Sequence, residues 1–175
     1  MLTVTLLLCA MVALTGAAAV PEPGPVEDTE LVVQEGEHHI VERATSCPGG
    51  WESYNGRCFH YVPTPMSWAN AEKYCLNFGG NLASVHDFNE QHVIQSMILR
   101  LTHSYPHTWL GGYDATQEGT WFWSDGTPFR FNYWDQGQPD NYGTSHCLIM
   151  NFGGPKKFDD QRCYESKPFV CAKKL

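Results

Sequence analysis

The sequence predicts an α+β domain with two helices and a largely antiparallel sheet. Two segments with helical apolar spacing come first, within 67–101. Short runs rich in aromatic and β-branched residues follow, separated by turns of Gly, Asn and Asp. Helices first and strands later are typical of the α+β class. Six cysteines in the same region predict that three disulfides hold the domain together.

The first helix is predicted to follow Ser67, which offers an N-cap, and to run to about Phe78. Trp68, Ala71 and Cys75 share one face, and two glycines end the helix.

The second helix is predicted to begin at Asp87, whose side chain caps it, with Glu90 closing a capping box. Five apolar residues recur at helical spacing and are therefore expected in the core. They are Val93, Ile94, Met97, Ile98 and Leu101.

Five short segments have the composition of strands: 58–62, 109–112, 121–123, 147–150 and 169–171. Trp109, Trp121 and Trp123 are expected to be core residues. Between the third and fourth strands, residues 131–143 show no periodicity. A loop of about a dozen residues in a compact domain is usually functional.

The chain is predicted to have three parts: a signal peptide over 1–18, an acidic leader or propeptide over 19–43, and a domain over 44–175. The first apolar run is too short to span a membrane and is followed by small residues, as at a cleavage site. These features predict a secreted, extracellular protein without a membrane span. Arg43 is a candidate processing site.

The net charge of −8 lies mainly in the leader. Residues 20–43 hold seven acids and one base, a net of −6, and residues 44–175 hold 12 acids and 10 bases, a net of −2. The nearly neutral domain argues against nucleic acid as a partner, whereas the acidic, aromatic-free leader is typical of disorder.

Cys9 would leave with the signal peptide, so an even set remains: Cys47, Cys58, Cys75, Cys147, Cys163 and Cys171. Six cysteines allow fifteen connectivities, and their spacing does not choose among them. A zinc site is the alternative, but the set contains no Cys-x2-Cys knuckle.

Two acidic segments suggest a cation site. Gln138 and Asp140 flank a proline, and Asp159 and Asp160 lie just before Cys163. Carboxylate and amide oxygens are the ligands that Ca2+ takes in proteins. A calcium ion in a surface loop could bind the hydroxyl groups of a ligand.

The ordered landmarks of residues 47–172 resemble the C-type lectin domain family, in particular small secreted fish lectins of the galactose type and type II antifreeze proteins. The motifs are Cys47-Pro48-Gly49-Gly50-Trp51, Cys58-Phe59, Trp68-x2-Ala71-x3-Cys75, Gly80-x-Leu82-Ala83-Ser84, Trp109-Leu110-Gly111-Gly112, Trp121-x-Trp123-Ser124-Asp125-Gly126, Trp134, Gln138-Pro139-Asp140 and Cys147. The resemblance implies a C-type lectin-like fold with a long calcium and ligand loop. It also implies the disulfides Cys47–Cys58, Cys75–Cys171 and Cys147–Cys163.

The resemblance further implies a calcium site formed by Gln138, Asp140, Ser145, Asp159 and Asp160. Ser145 stands where the family has Glu, and Asp159 where it has Asn. The family's set and this one both carry three negative charges, so calcium affinity in the weak extracellular range of about 10^-4 to 10^-3 M is expected.

Galactose-type glycans or cell-surface glycoconjugates are the partners that the resemblance implies, held by Gln138, Asp140, Tyr142, Asp159 and Asp160. Tyr142 stands where such sites place an aromatic ring against the sugar. An ionised Asp159 accepts hydrogen bonds but cannot donate as Asn does, so sugar binding is expected to suffer more than calcium binding.

Some family members have an auxiliary calcium site. Asp114 and Glu118 match its first two ligands, whereas Ser145 and His146 replace acidic ones. This site is expected to be empty of calcium, with His146 as a packed or surface residue.

Four functions are compared. A calcium-dependent galactose-binding lectin of mucus, venom or plasma, with a role in innate defence, is the leading hypothesis. An ice-binding antifreeze protein and a metal-independent protein-binding module are the alternatives. No catalytic motif is present in the sequence, so an enzyme is not expected. The oligomeric state stays open.

Overall fold

The computed structural model describes residues 46–175, so the predicted signal peptide and leader lie outside the described residues. The described part contains two helices and eight strands. In chain order they are β1 (Glu52–Tyr54), β2 (Arg57–Met66), α1 (Trp68–Asn77), β3 (Asn81–Leu82), α2 (Phe88–Thr102), β4 (Thr108–Tyr113), β5 (Phe122–Trp123), β6 (Cys147–Phe152), β7 (Lys157–Gln161) and β8 (Lys167–Lys174). The predicted α+β class is confirmed.

Helix α1 has the predicted extent but not the predicted cap. Ser67 has extended backbone at the N-cap position, yet its side chain makes no capping hydrogen bond. The tertiary structure supplies a partner instead, since the Trp68 amide donates to the Cys163 carbonyl at 2.9 Å. At the other end, Gly79 adopts φ of 73°, a left-handed conformation that glycine accepts without strain.

Helix α2 begins as predicted, because the Asp87 carboxylate accepts from the Glu90 amide at 2.8 Å. The reciprocal bond differs from a capping box. The Glu90 side chain accepts from the His86 amide at 2.8 Å, one residue before the cap. The prediction for Leu101 is wrong: it is 59% exposed because the last turn of the helix extends past the core.

The strands form one sheet in the order β1-β2-β8-β4-β6-β7, with β3 joined to β8 and β5 to β4. The sheet is largely antiparallel, as predicted, apart from the parallel pairing of β4 with β8. The five predicted strands are present, whereas β1, β3 and β7 were not predicted.

The central strands are buried on both faces, because successive side chains point to opposite sides of a sheet. Leu110, Leu148 and Val170 lie in the core that α2 covers. Their neighbours Trp109, Ile149 and Phe169 lie in the core that α1 covers. The prediction for the tryptophans is confirmed for Trp109 and Trp123, which are 0% and 2% exposed, while Trp121 is half-buried against the α2 core.

Glycine is required at the crossing of β4 with its neighbours. A Cβ at Gly111 would lie 2.6 Å from the Leu82 carbonyl oxygen and 2.7 Å from Ser124 Oγ. The close approach of these backbones therefore explains a residue without a side chain in the Trp-Leu-Gly-Gly segment.

The three expected disulfides are present. They join Cys47 to Cys58, Cys75 to Cys171 and Cys147 to Cys163. The second ties α1 to β8, and the third closes the segment that contains β6 and β7. Over residues 46–175, neither helix has the length and apolar character needed to cross a membrane.

Candidate functional site

Strand β7 and the loop before β6 form the candidate site. The loop is fastened to β7 by two backbone hydrogen bonds: the Asp135 amide donates to the Phe158 carbonyl at 2.9 Å, and the Phe158 amide donates to the Tyr133 carbonyl at 2.9 Å. Trp134 forms a parallel bridge with Phe158. This attachment places Asp159 and Asp160 beside the Gln-Pro-Asp segment.

The carboxylate of Asp160 binds backbone amides of the loop. It accepts from the Asp140 amide at 2.9 Å and from the Asn141 amide at 2.7 Å. The side chain is 2% exposed. The structure therefore brings Asp160 and Asp140 together, as the sequence predicted.

Asp140 shapes the tip of the loop. One carboxylate oxygen accepts from the Tyr142 amide at 2.9 Å, and the other accepts from Gln138 Nε2 at 3.2 Å. The peptide bond between Gln138 and Pro139 is cis. Gln138 thus directs its amide nitrogen at Asp140 and leaves its carbonyl oxygen for another partner.

Two amide oxygens in the loop are buried and have no hydrogen-bond partner within the described part of the chain: Gln138 Oε1 and Asn141 Oδ1. An unsatisfied buried acceptor costs about 1–3 kcal/mol. Asn141 was missed by the sequence prediction. The signal in the sequence was its place directly after Asp140. In the structure its backbone is left-handed, with φ of 51°, a conformation in which Asn is enriched.

Asp159 carries the most strongly perturbed charge of the group. Its pKa is raised to about 6, mainly by burial and also by the neighbouring carboxylates of Asp160 and Asp140, while a hydrogen bond from Gln161 opposes the rise. Burial also raises the pKa of Asp160. Among residues 46–175, none of the ion pairs involves Asp140, Asp159 or Asp160.

The donor types at this site are those that a hard divalent cation takes: three carboxylates and two amide oxygens without partners. Among residues 46–175, the ligand atoms of Asp140, Asp159 and Asp160 do not all lie within 4.8 Å of one another, so the match is one of donor type and not of preformed geometry. Ser145 is buried at 3% exposure, but its hydroxyl donates to the Tyr142 carbonyl at 2.6 Å. The structure therefore uses Ser145 to brace the loop.

Tyr142 lies at the tip of the loop and is 77% exposed. Its backbone is fixed from both directions, since its amide donates to Asp140 and its carbonyl accepts from Ser145. A mostly exposed aromatic ring is thus presented on an ordered backbone next to the carboxylates.

A second group of possible ligands lies outside this site. His146 Nδ1 is 3.1 Å from Asp114 Oδ1 and 3.4 Å from Glu118 Oε2. The sequence resemblance placed Asp114 and Glu118 at positions of an auxiliary calcium site and predicted that His146 is a packed or surface residue. The structure brings all three together.

A third group of charged residues contrasts with the candidate site. Arg57 donates to Glu90 Oε1 at 2.5 Å and to Ser84 Oγ at 2.8 Å. Ser84 in turn donates to Asp125 at 2.5 Å. The pKa of Asp125 is lowered: burial raises it, but hydrogen bonds from Ser84 and Thr127 and the charge of Arg57 prevail.

The sequence was compared with models of known protein families. The model described as "Lectin C-type domain" matches residues 64–173. This range contains both helices, the candidate loop and β7.

Individual proteins show the same relationship over longer ranges. Ladderlectin of Oncorhynchus mykiss is 38% identical over 172 residues, covering 96% of this chain and 90% of that protein. The galactose-specific lectin nattectin of Thalassophryne nattereri is 43% identical over 139 residues, covering 78% of this chain and 87% of the relative. The solved structure of herring type II antifreeze protein has a TM-score of 0.70 and 35% identity, covering 74% of this chain and 99% of that one.

Proposed function

Because this chain belongs to the C-type lectin domain family, we propose that it is a secreted, calcium-dependent lectin for galactose-type glycans. The family is one of carbohydrate-binding, non-enzymatic proteins, so the domain is a binding module and not an enzyme. The metal, the sugar class and secretion are the proposed part.

The observation that carries the proposal is the pair of buried oxygens without partners, Gln138 Oε1 and Asn141 Oδ1, in the loop whose backbone amides bind the Asp160 carboxylate. Buried acceptors are normally satisfied. A calcium ion would satisfy both oxygens and neutralise the charge that burial opposes at Asp159 and Asp160.

Gln138, Asp140, Asn141, Asp159 and Asp160 are the residues that would hold the ion. When bound, Ca2+ supplies open coordination positions to sugar hydroxyls. The chain's own contribution is to orient the loop. Asp160 fixes the backbone of the Asp140–Asn141 pair, and Asp140 fixes the Tyr142 amide.

Support for a galactose-type ligand comes from the Gln-Pro-Asp segment, from Tyr142 and from the galactose specificity of nattectin, the relative at 43% identity. The exposed ring of Tyr142 offers an apolar surface to a sugar ring.

The test is retention on immobilised galactose in the presence of about 5 mM calcium, within the range expected to saturate weak extracellular sites. Release by a chelator and competition by free galactose in preference to mannose are expected. Asn141→Ala should abolish retention, whereas Asn132→Ala, at an exposed position on the same loop, should preserve it. No retention of the folded parent protein would refute the proposal.

Ice binding is the second candidate, favoured by the likeness to herring type II antifreeze protein. The exposed ring of Tyr142 and the exposed Asp140 make the surface of the loop uneven and charged, which argues against ice binding there. Thermal hysteresis in the purified protein would support this candidate, and its absence would exclude it.

A metal-independent module that binds a protein is the remaining alternative. A ligand that binds only the folded state must raise its stability. Calcium that left both melting temperature and protease resistance unchanged would therefore favour this alternative over the lectin.

A further inference from the structure

Three side chains from two segments converge beside β4 and β6. Asp114 follows the end of β4, Glu118 lies in the turn that comes next, and His146 directly precedes β6. One potential ligand atom from each lies within 4.8 Å of the other two. Asp114 is buried, His146 is half-buried and Glu118 is exposed, so the group opens to solvent on one side.

The backbone holds the two inner members in place. The Asp114 amide donates to the His146 carbonyl at 3.1 Å, which ties the two segments together. Asp114 Oδ2 accepts from the Gly119 amide at 2.8 Å. The other carboxylate oxygen, Oδ1, is thereby directed at the imidazole. The disulfide at Cys147 anchors the residue next to His146.

The separations match a tetrahedral metal site. Zinc binds histidine nitrogen and carboxylate oxygen at about 2.0–2.2 Å, which places neighbouring ligand atoms of a tetrahedron about 3.3–3.6 Å apart. The two separations from His146 Nδ1 are 3.1 Å and 3.4 Å. Only small side-chain adjustments would therefore admit an ion among the three atoms.

The donor types select the metal. Calcium takes oxygen ligands, whereas imidazole with carboxylates suits zinc and similar first-row transition ions. We infer that Asp114, Glu118 and His146 form a site for a zinc-class divalent ion, with a remaining coordination position for water. His146 makes an auxiliary calcium site unfavourable, and the same residue supplies the nitrogen ligand of the zinc-class site.

This site does not depend on the proposed lectin function. None of its three ligands belongs to the set of Gln138, Asp140, Asn141, Asp159 and Asp160. An Asp140→Ala variant is therefore expected to lose calcium-dependent sugar retention and to keep zinc binding. The two proposals can fail separately.

The alternative is a metal-free ion pair, in which a charged His146 lies between the two carboxylates. Calorimetric titration of the full chain with zinc chloride, at saturating calcium and in a non-chelating buffer, distinguishes the two. One zinc ion per chain should bind at this site. Because losing an outer-shell partner already costs 10- to 100-fold in metal affinity, His146→Ala should lower the affinity by more than about tenfold.

Matched variants isolate the site from other histidines. His92→Ala changes an exposed histidine on α2 and should leave zinc affinity unchanged. The titration is repeated with His38 and His39 both replaced by Ala, since that adjacent pair in the leader could bind zinc by itself. His146→Asp should also lose zinc affinity while restoring an oxygen ligand.

A direct measurement covers the case in which a variant fails to fold. Anomalous diffraction at the zinc edge should place the ion about 2.0–2.2 Å from each of the three ligand atoms. Zinc bound elsewhere, unchanged affinity in folded His146→Ala, or no binding by the parent chain would overturn the inference.

Discussion

The fold removes two pairs of acids wholly or partly from water. One pair is Glu90 and Asp125, near β2, and the other is Asp159 and Asp160, on β7. The first pair shares Arg57, which lies 2.5 Å from Glu90 and 3.9 Å from Asp125. The second pair takes part in none of the ion pairs among residues 46–175.

The difference appears in the direction of the pKa shifts. That of Asp125 is lowered, whereas burial and neighbouring acids raise that of Asp159 to about 6. Buried charge is tolerated when it is paired. The charge of the first region is therefore paired within the protein, whereas Asp159 and Asp160 have no cationic partner among residues 46–175.

Removing Arg57 should give the largest effect. Arg57→Met keeps an unbranched side chain near Phe59 but leaves Glu90 buried without its partner. Loss of one member of a buried pair costs about 3–5 kcal/mol. Urea unfolding measures the change. Arg100→Met is the control, because its pair with Glu52 is exposed and should cost less than about 1 kcal/mol.

The next effect concerns stabilisation by calcium. At about 10 mM calcium and a dissociation constant of about 10^-4 to 10^-3 M, the folded state gains about 1–3 kcal/mol. Asp160→Asn should remove most of this gain, because it removes a charge and an acceptor for the loop amides. Thermal unfolding with calcium and with a chelator measures it. An undiminished calcium shift in this variant would contradict the proposed site.

The stability of the calcium-free protein should depend on pH through the titration of Asp159. Its folded-state pKa of about 6 lies above the ordinary aspartate pKa of 3.8, so between these two pH values the folded state binds more protons than the unfolded state. The contribution to stability is therefore present below about pH 4 and is lost as pH rises through about 6.

Asp159→Asn provides the comparison. It should flatten the pH dependence between about pH 4 and 6 and be neutral or stabilising at pH 7 without calcium. Chemical denaturation at a series of pH values tests this. The parent protein could instead become more stable as pH rises from about 4 to 6, with Asp159→Asn removing that gain. The sign of the effect would then be reversed, and the raised pKa assigned to Asp159 would be refuted.

The smallest effect should separate sugar binding from metal binding. Tyr142→Ala is expected to weaken galactose binding by about 2- to 12-fold, since stacked ring contacts contribute about 0.5–1.5 kcal/mol. Tyr142→Phe keeps the ring and should bind normally. Competition assays measure both. The calcium-dependent thermal shift should be unchanged in either variant, because Tyr142 binds the Asp140 carboxylate through its backbone amide, which both variants keep.

The sequence predicted the parts of this fold that depend on local chemistry. Asp87 caps α2 as expected because the carboxylate and the amide that it binds are three residues apart. The prediction failed where distant segments decide. The Ser67 cap is absent, and Leu101 is exposed because helical spacing does not reveal where the core ends.

The same division holds at the candidate site. Gln138, Asp140 and Asp160 were predicted from motifs, and the structure brings them together. Strand β7 was not predicted, because Lys-Phe-Asp-Asp-Gln contains one strand-favouring residue. Its pairing with β6 and its bridge to Trp134 are tertiary contacts that local composition does not reveal. Asn141 and the grouping of His146 with Asp114 depend on how the loop returns to the sheet.

The attachment of the loop to β7 has a consequence for behaviour in solution. Strand β7 is the last strand of the sheet, and the loop covers its outer side through the bonds of Tyr133 and Asp135 with Phe158. An uncovered outermost strand invites pairing with other chains and aggregation. The loop that carries the Gln-Pro-Asp segment therefore also occupies the backbone groups of Phe158 that could otherwise pair with another chain.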